Sequence, residues 1–209
     1  MPSYKLVYFD ARGYAEPARQ MFYMAGVKFE DKRINRTDGS WEKIKEKTPF
    51  GQLPVLKVDG LEIPQSSAIL RYLANKFGFA GNTPEENAWA DAIVDQYKDF
   101  VEPFRTFVMA QRANKPVDEV EKIRTEVFEP ARDQYFKILE GILKKSESGW
   151  LVESGLTWAD LVVADNLVTL EKMGFFVPKE HPKLSALRKK VHGLARLKEY
   201  IANRPDTEF

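Results

Sequence analysis

The sequence predicts an α/β domain followed by an all-α domain, and three observations carry that prediction. Over roughly the first 80 residues, short apolar stretches alternate with helical patterns in the order strand, helix, strand, hairpin, helix. From about Thr83 the pattern changes to long helical periodicities. Between the two textures lies Gly78 to Pro84, a linker marked by glycine and proline. The division read from this is 1–79 and 84–209, with no internal repeat and no low-complexity tract.

Tyr4 to Phe9 reads as the first strand, and Glu16 to Ala25 as a helix closed by Gly26. Phe29 to Ile34 is the second strand. Val55, Leu56 and Val58 read as a buried strand, Asp59-Gly60 as a two-residue hairpin turn, and Leu61 to Ile63 as the returning arm. A helix from Ser66 to Phe77 follows. A right-handed crossover makes the first two strands parallel and the hairpin adds an antiparallel pair. That βαβ, ββα layout is the layout of a thioredoxin-like fold. Pro54 stands at the mouth of the third strand, where a proline cannot donate a ladder hydrogen bond and needs an edge, a first position or a cis turn.

The second part reads as helices over roughly 85 to 113, 118 to 145, 157 to 172 and 183 to 202, with kinks expected at Pro103 and Pro130. Thr157 and Asp160 have capping-box spacing, with Leu156 and Leu161 available as a hydrophobic staple. Arg188, Lys189 and Lys190 read as a solvated helix face.

Composition excludes several functions. Thirty-two basic residues nearly balance thirty-one acidic ones, so no charge excess argues for nucleic acid or an anionic membrane. The opening stretch has no apolar signal core, and no run approaches about 18 apolar residues, so the expected location is cytoplasmic. The absence of cysteine removes any disulfide framework, and only His181 and His192 offer imidazole, so no metal site is expected. Any thiol chemistry has to arrive with a ligand.

Three stretches, "KLVYFDARGYAEPAR", "PFGQLPVLKVDGLEIPQSSAILRYLA" and "TWADLVVAD", resemble the glutathione transferases nearly end to end, most closely the sigma class that includes the haematopoietic type of prostaglandin D synthase. The resemblance implies the glutathione transferase fold and a cis Leu53-Pro54 bond that turns the Leu53 main chain outward. The cysteinyl part of glutathione, a tripeptide, would pair with that edge as a short added strand. The γ-glutamyl carboxylate would sit at Gln65 and Ser66, where a helix N-terminus favours an anion, although Ser66 also reads as a plain N-cap. Trp41 and Lys45 match the positions that hold the glycyl carboxylate, and Gln52 completes that wall.

Tyr8 matches the catalytic tyrosine of the family, its hydroxyl donating to the glutathione sulfur. Strand periodicity alone leaves Tyr4 open as the alternative. Arg12 would support the site from beneath, and Asp99 would reach across a homodimer to the γ-glutamyl ammonium of the partner's ligand. Phe50 matches an aromatic key that some classes insert between the partner's helices. Phe9, Gly13, Tyr14, Val101, Phe104, Arg105, Val162, Asn166 and Phe209 match the pocket for a hydrophobic electrophile. The prostaglandin synthase differs at three positions: an arginine where Tyr14 stands, a tryptophan where Thr106 stands, and an aspartate, one of its divalent-metal carboxylates, where Lys98 stands.

The function implied is conjugation of reduced glutathione to hydrophobic electrophiles, with reduction of organic hydroperoxides as a second use of the same thiol. Glutathione would be a co-substrate, with no cofactor. A glutathione-dependent eicosanoid isomerase and a non-catalytic carrier of hydrophobic ligands are the alternatives. Retention of Tyr8, Lys45, Gln65 and Ser66 counts against the carrier, which needs none of them.

Overall fold

The computed structural model describes residues 2–207 and 209. Its first part is a four-stranded mixed sheet of β1 (Tyr4–Phe9), β2 (Glu30–Ile34), β3 (Val55–Val58) and β4 (Leu61–Pro64), in the order β2-β1-β3-β4. β1 is parallel to β2, and β3 is antiparallel to both β1 and β4. Apolar residues on the central strand explain its place, because Tyr4, Leu6, Val7 and Tyr8 are all buried there. Helices α1 (Glu16–Ala25) and α3 (Ser66–Phe77) end where glycine enters the left-handed region, Gly26 at φ 67° and Gly78 at φ 80°. This is the thioredoxin-like layout expected from the strand order. One short helix escaped the sequence reading: α2 (Ser40–Lys45), six residues with none buried, too short to leave a periodic signature.

Among the described residues six α-helices follow: α4 (Pro84–Arg112), α5 (Val117–Ile123), α6 (Glu129–Lys145), α7 (Trp158–Lys172), α8 (Pro182–His192) and α9 (Ala195–Asn203). Two features of these spans have physical causes. The helix expected over 118 to 145 runs unbroken in right-handed backbone through α5, a π-helical turn and α6, and Pro130 interrupts its hydrogen bonding from within. Because a proline also clashes with the carbonyl four residues back, the chain widens ahead of it into a π-helical segment, Arg124–Phe128, in which the Glu129 N–H reaches Arg124 O. The pattern over 183 to 202 is two helices, broken at Gly193-Leu194, where Leu194 is extended at ψ 126°. Pro103 lies within α4 without ending it.

The two parts are tied by specific bonds as well as by α1 packing on α7 and α9. The Trp158 N–H donates to Phe79 O at 2.9 Å, and Arg71 on α3 pairs with Asp91 on α4. The capping box forms as read: Asp160 Oδ2 accepts the Thr157 N–H at 2.8 Å, and Oδ1 takes the Leu151 N–H from the preceding loop. Arg188, expected to be solvated, is held by Glu171 and lies over the Phe176 ring, its side chain only 13% exposed.

Candidate functional site

The strand register places the site. Val7 lies opposite Val55 and Val55 opposite Pro64, so the end of β1, the mouth of β3 and the end of β4 share one end of the sheet. Tyr8 and Phe9, the Leu53-Pro54 bond and the start of α3 therefore gather there. Leu53-Pro54 is cis, and among the described residues no loop hydrogen bond uses the main chain of Gln52 or Leu53.

After β1 the chain turns back onto the Tyr8 hydroxyl, which accepts the Tyr14 N–H at 3.2 Å. Gly13 makes this return possible. It sits at φ 41°, and a Cβ there would stand 2.7 Å from Tyr8 Oη. Tyr8 is only 4% exposed, and burial pushes its phenol above the ordinary value against the opposing Tyr14 N–H, Arg36 and Arg19. The hydroxyl thus stays protonated at neutral pH, and its own hydrogen has no acceptor among the described residues. Tyr4, the alternative, lies at the opposite end of β1 with its ring edge-on to Phe22 and Phe77, at 5.2 and 5.9 Å.

At the start of α3 the N-cap is Gln65, not Ser66, and no side chain caps it. The first helical bond runs from the Ile69 N–H to Gln65 O at 3.0 Å, so the N–H groups of Ser66, Ser67 and Ala68 have no acceptor within the helix. Gln65 holds φ 71°, a costly region for a residue with a Cβ, and its amide donates to Gln52 Oε1 at 3.2 Å. Neither the backbone conformation nor this amide pair has a sequence signal. On the other side, Trp41 and Lys45 occupy α2 four residues apart, with Lys45 exposed. Trp41 packs edge-on to Phe9 at 5.4 Å, and Arg36 lies 3.9 Å from the Phe9 ring centre. Phe9 therefore belongs with Trp41 and Tyr8 as much as with the apolar wall.

The residues matched to an electrophile pocket divide into two groups. Tyr14 is 38% exposed, Arg105 is exposed beside Glu102, and Val101 and Phe209 are half-buried. Phe104 and Val162 lie in the buried core, Phe104 stacked on Phe100 at 5.9 Å. Asn166 is 7% exposed, and its Oδ1 has no partner. Phe209 approaches Phe104 at 6.5 Å, and its carbonyl oxygen accepts the Arg12 N–H at 2.6 Å.

Arg12 is buried and donates to Asp165 Oδ1 at 2.8 Å and Thr169 Oγ1 at 3.0 Å on α7. It belongs to a buried ion network with Asp165, Arg204, Glu16, Arg19 and Asp31 that reads from sequence only as scattered charges. Asp99 is exposed on α4, with no ion-pair partner among the described residues. Asp95 is paired with Lys98 at 2.7 Å, and among the described residues no three metal-ligating side chains cluster. A groove of about 670 Å³ lies away from these residues, lined by Glu85, Trp89, Ile138 and Gly141 among others.

Comparison with known proteins shows the family of the chain. The profile described as glutathione S-transferase, N-terminal domain, matches residues 4–75, and the corresponding C-terminal domain matches residues 98–204. Glutathione S-transferase 4 of Caenorhabditis elegans is 50% identical over 207 residues, covering 99% of each chain. Among solved structures, a monomeric glutathione S-transferase from the hookworm Necator americanus is 45% identical with a TM-score of 0.90, covering 99% of this chain and 100% of its own. Prostaglandin synthase D of Nilaparvata lugens is 32% identical with a TM-score of 0.88, covering 98% and 100%.

Proposed function

The chain belongs to the glutathione S-transferase family and is a glutathione transferase, and from that premise we propose that Tyr8 supplies the thiolate-stabilising hydrogen bond. The observation that carries this reading is the Tyr8 hydroxyl, which takes one donor from the Tyr14 N–H and keeps its own proton free. A free cysteine thiol has a pKa of about 8.5, so only a few per cent is ionised at neutral pH. Lowering it by about two units takes roughly 2.7 kcal/mol of preferential thiolate stabilisation. A hydrogen bond to a charged group supplies about 1.5–3 kcal/mol, so one neutral donor nearly suffices. The raised phenol pKa helps, because a tyrosine that ionised would lose the proton it donates.

Around that donor, the outward main chain of Leu53 would pair with the cysteinyl residue. The open N–H groups of α3, with Gln65 and Ser66, would hold the γ-glutamyl carboxylate, and Trp41, Lys45 and Gln52 the glycyl end. Hydrophobic electrophiles, including organic hydroperoxides as oxidants of the thiol, would enter beside Tyr14, Val101 and Phe209. We further propose two domains, 1–79 and 84–209, a sigma-class affinity, a detoxifying role in the cytoplasm, and glutathione as a co-substrate without cofactor or metal. The Asp95–Lys98 pair supports the last, since it sets an ammonium among the carboxylates.

A homodimer completes the reading. Phe50 is 62% exposed and Leu61 61%, and the groove beside Trp89 and Ile138 is large enough for an aromatic ring from a second copy. Asp99, with no ion-pair partner among the described residues, would then serve the partner's glutathione. Steady-state conjugation tests the central assignment: Tyr8→Phe is expected to lose roughly tenfold to a hundredfold in turnover at neutral pH, with Tyr4→Phe as the control. Unchanged turnover in Tyr8→Phe overturns it.

A further inference from the structure

The segment after α9 crosses to the turn that holds Tyr8, and its bonds converge on one backbone group there. Arg204 leaves α9 bonded to Glu16 Oε1 at 2.7 Å and to Asp165 Oδ1 at 3.4 Å. Lys172, at the end of α7, then pairs with Asp206 and donates to Thr207 O at 3.0 Å. Three further bonds close on Arg12. Its N–H is shared between Thr207 Oγ1 at 3.2 Å and Phe209 O at 2.6 Å, and the Thr207 hydroxyl donates to that same Phe209 oxygen at 2.6 Å. Arg12 stands two residues before Tyr14, whose N–H holds Tyr8 Oη at 3.2 Å. Only Gly13 lies between them, at φ 41° and with no Cβ to limit its backbone. A donor reached across a glycine keeps its aim only where the chain beyond the glycine is fixed. Arg19 fixes one side, donating to Ala11 O at 2.7 Å and Arg12 O at 3.3 Å, and the segment after α9 fixes the other by taking the Arg12 N–H.

We propose that Thr207 is a positioning residue for Tyr8, bracing the Arg12–Tyr14 turn so that the Tyr8 hydroxyl aims its proton at the glutathione sulfur. This rests on the assignment of Tyr8 as the donor to the thiolate and deepens it. Thr207 acts through the turn and not on the sulfur: its hydroxyl ties Phe209 O to the Arg12 N–H, the Arg12 main chain sets Gly13, and Gly13 sets the Tyr14 N–H. Without the hydroxyl, the Arg12 N–H keeps one acceptor, on a segment that has lost its internal brace. Hydrogen bonds weaken steeply as their angle departs from linear, so a phenol free to swing donates less to the anion and the thiol pKa rises.

The test titrates the ultraviolet thiolate absorbance of bound glutathione in wild type, Thr207→Val, Thr207→Ser and Lys172→Met, and follows conjugation of an aryl halide across the same pH range. Thr207→Val keeps the side chain's shape and removes its hydroxyl. Its thiolate midpoint is expected to rise by about half a pH unit or more, with kcat/KM reduced about threefold below about pH 6 and close to wild type above about pH 8, where the thiol is ionised in either protein. Thr207→Ser restores the hydroxyl and is expected to titrate with wild type. Lys172→Met releases Asp206 and the Thr207 carbonyl without touching Arg12, and is expected to move the midpoint the same way by less. A Thr207→Val midpoint equal to wild type overturns the proposal, as does a Thr207→Ser protein that titrates with Thr207→Val. If Thr207→Val does not fold, an unshifted midpoint in Lys172→Met overturns it. A Tyr8→Phe protein that titrates with wild type overturns the assignment of Tyr8 instead.

Discussion

Tyr8 and Gly13 form a pair in which each explains the other. The tyrosine needs a main-chain donor close enough to hold its oxygen, and the chain comes that close only where no Cβ intervenes. Gly13→Ala would set a methyl 2.7 Å from Tyr8 Oη and strain a positive φ. It is expected to reduce conjugation by about tenfold or more while shifting the melting temperature by only a few degrees, measured by steady-state kinetics and a thermal melt. A larger melting shift with intact kinetics would contradict the pairing. His192 provides the second residue-level prediction. Burial, with Arg204, Arg188 and Arg12 nearby, pushes its pKa down to about 4. The folded state therefore favours the neutral ring, and that stabilisation is present above about pH 6.5 and lost as pH falls toward 4. The loss amounts to about 3 kcal/mol at most, so His192→Gln is expected to narrow the difference in melting temperature between pH 7 and pH 4.5. The motif after the first strand favours Tyr8 over Tyr4 where strand periodicity does not, and the packing sets Tyr4 at the opposite end of β1 against Phe22 and Phe77. The positive φ of Gln65 and its amide bond to Gln52 leave no trace in residue order, because they depend on how two loops meet.

Among the elements, α7 is the most constrained. It is buried almost all round, and its N-terminus is fixed by one buried carboxylate that closes its own turn and receives the Leu151 N–H. Asp160→Ala would strand two buried N–H donors, each costing about 1–3 kcal/mol. Chemical denaturation is expected to show a loss of about 2–5 kcal/mol, and a loss under about 1 kcal/mol would mean that water replaces the carboxylate. This capping box was legible because its chemistry is local, three residues apart. The strands and helices with strong periodicity were legible for the same reason. Where the reading differed, at α2, at the π-helical widening before Pro130 and at the break after His192, short length or the geometry of a single residue outweighed the pattern.

At the scale of the whole molecule, the site lies at one end of the sheet while the residues proposed to complete it come from a second copy. Phe50→Ala is expected to loosen such a dimer by about 2 kcal/mol or more, read by sedimentation at micromolar concentration. Asp99→Asn should leave assembly intact yet weaken glutathione binding by about 1.5–3 kcal/mol. A wild-type monomer would end the shared-site reading, as would equal glutathione affinity in Asp99→Asn, while leaving Tyr8 untouched. Fold class followed from strand order and the change in texture near residue 80, whereas the ion network joining Arg12 to α7 did not, since its charges are spread from Arg12 to Arg204. Whether the Tyr8 hydroxyl holds the glutathione sulfur as an anion is read by titrating the ultraviolet thiolate absorbance of bound glutathione against pH. The expected result is a midpoint about two units below free thiol in wild type and a return of most of that shift in Tyr8→Phe. Coincident titrations in the two proteins would contradict it.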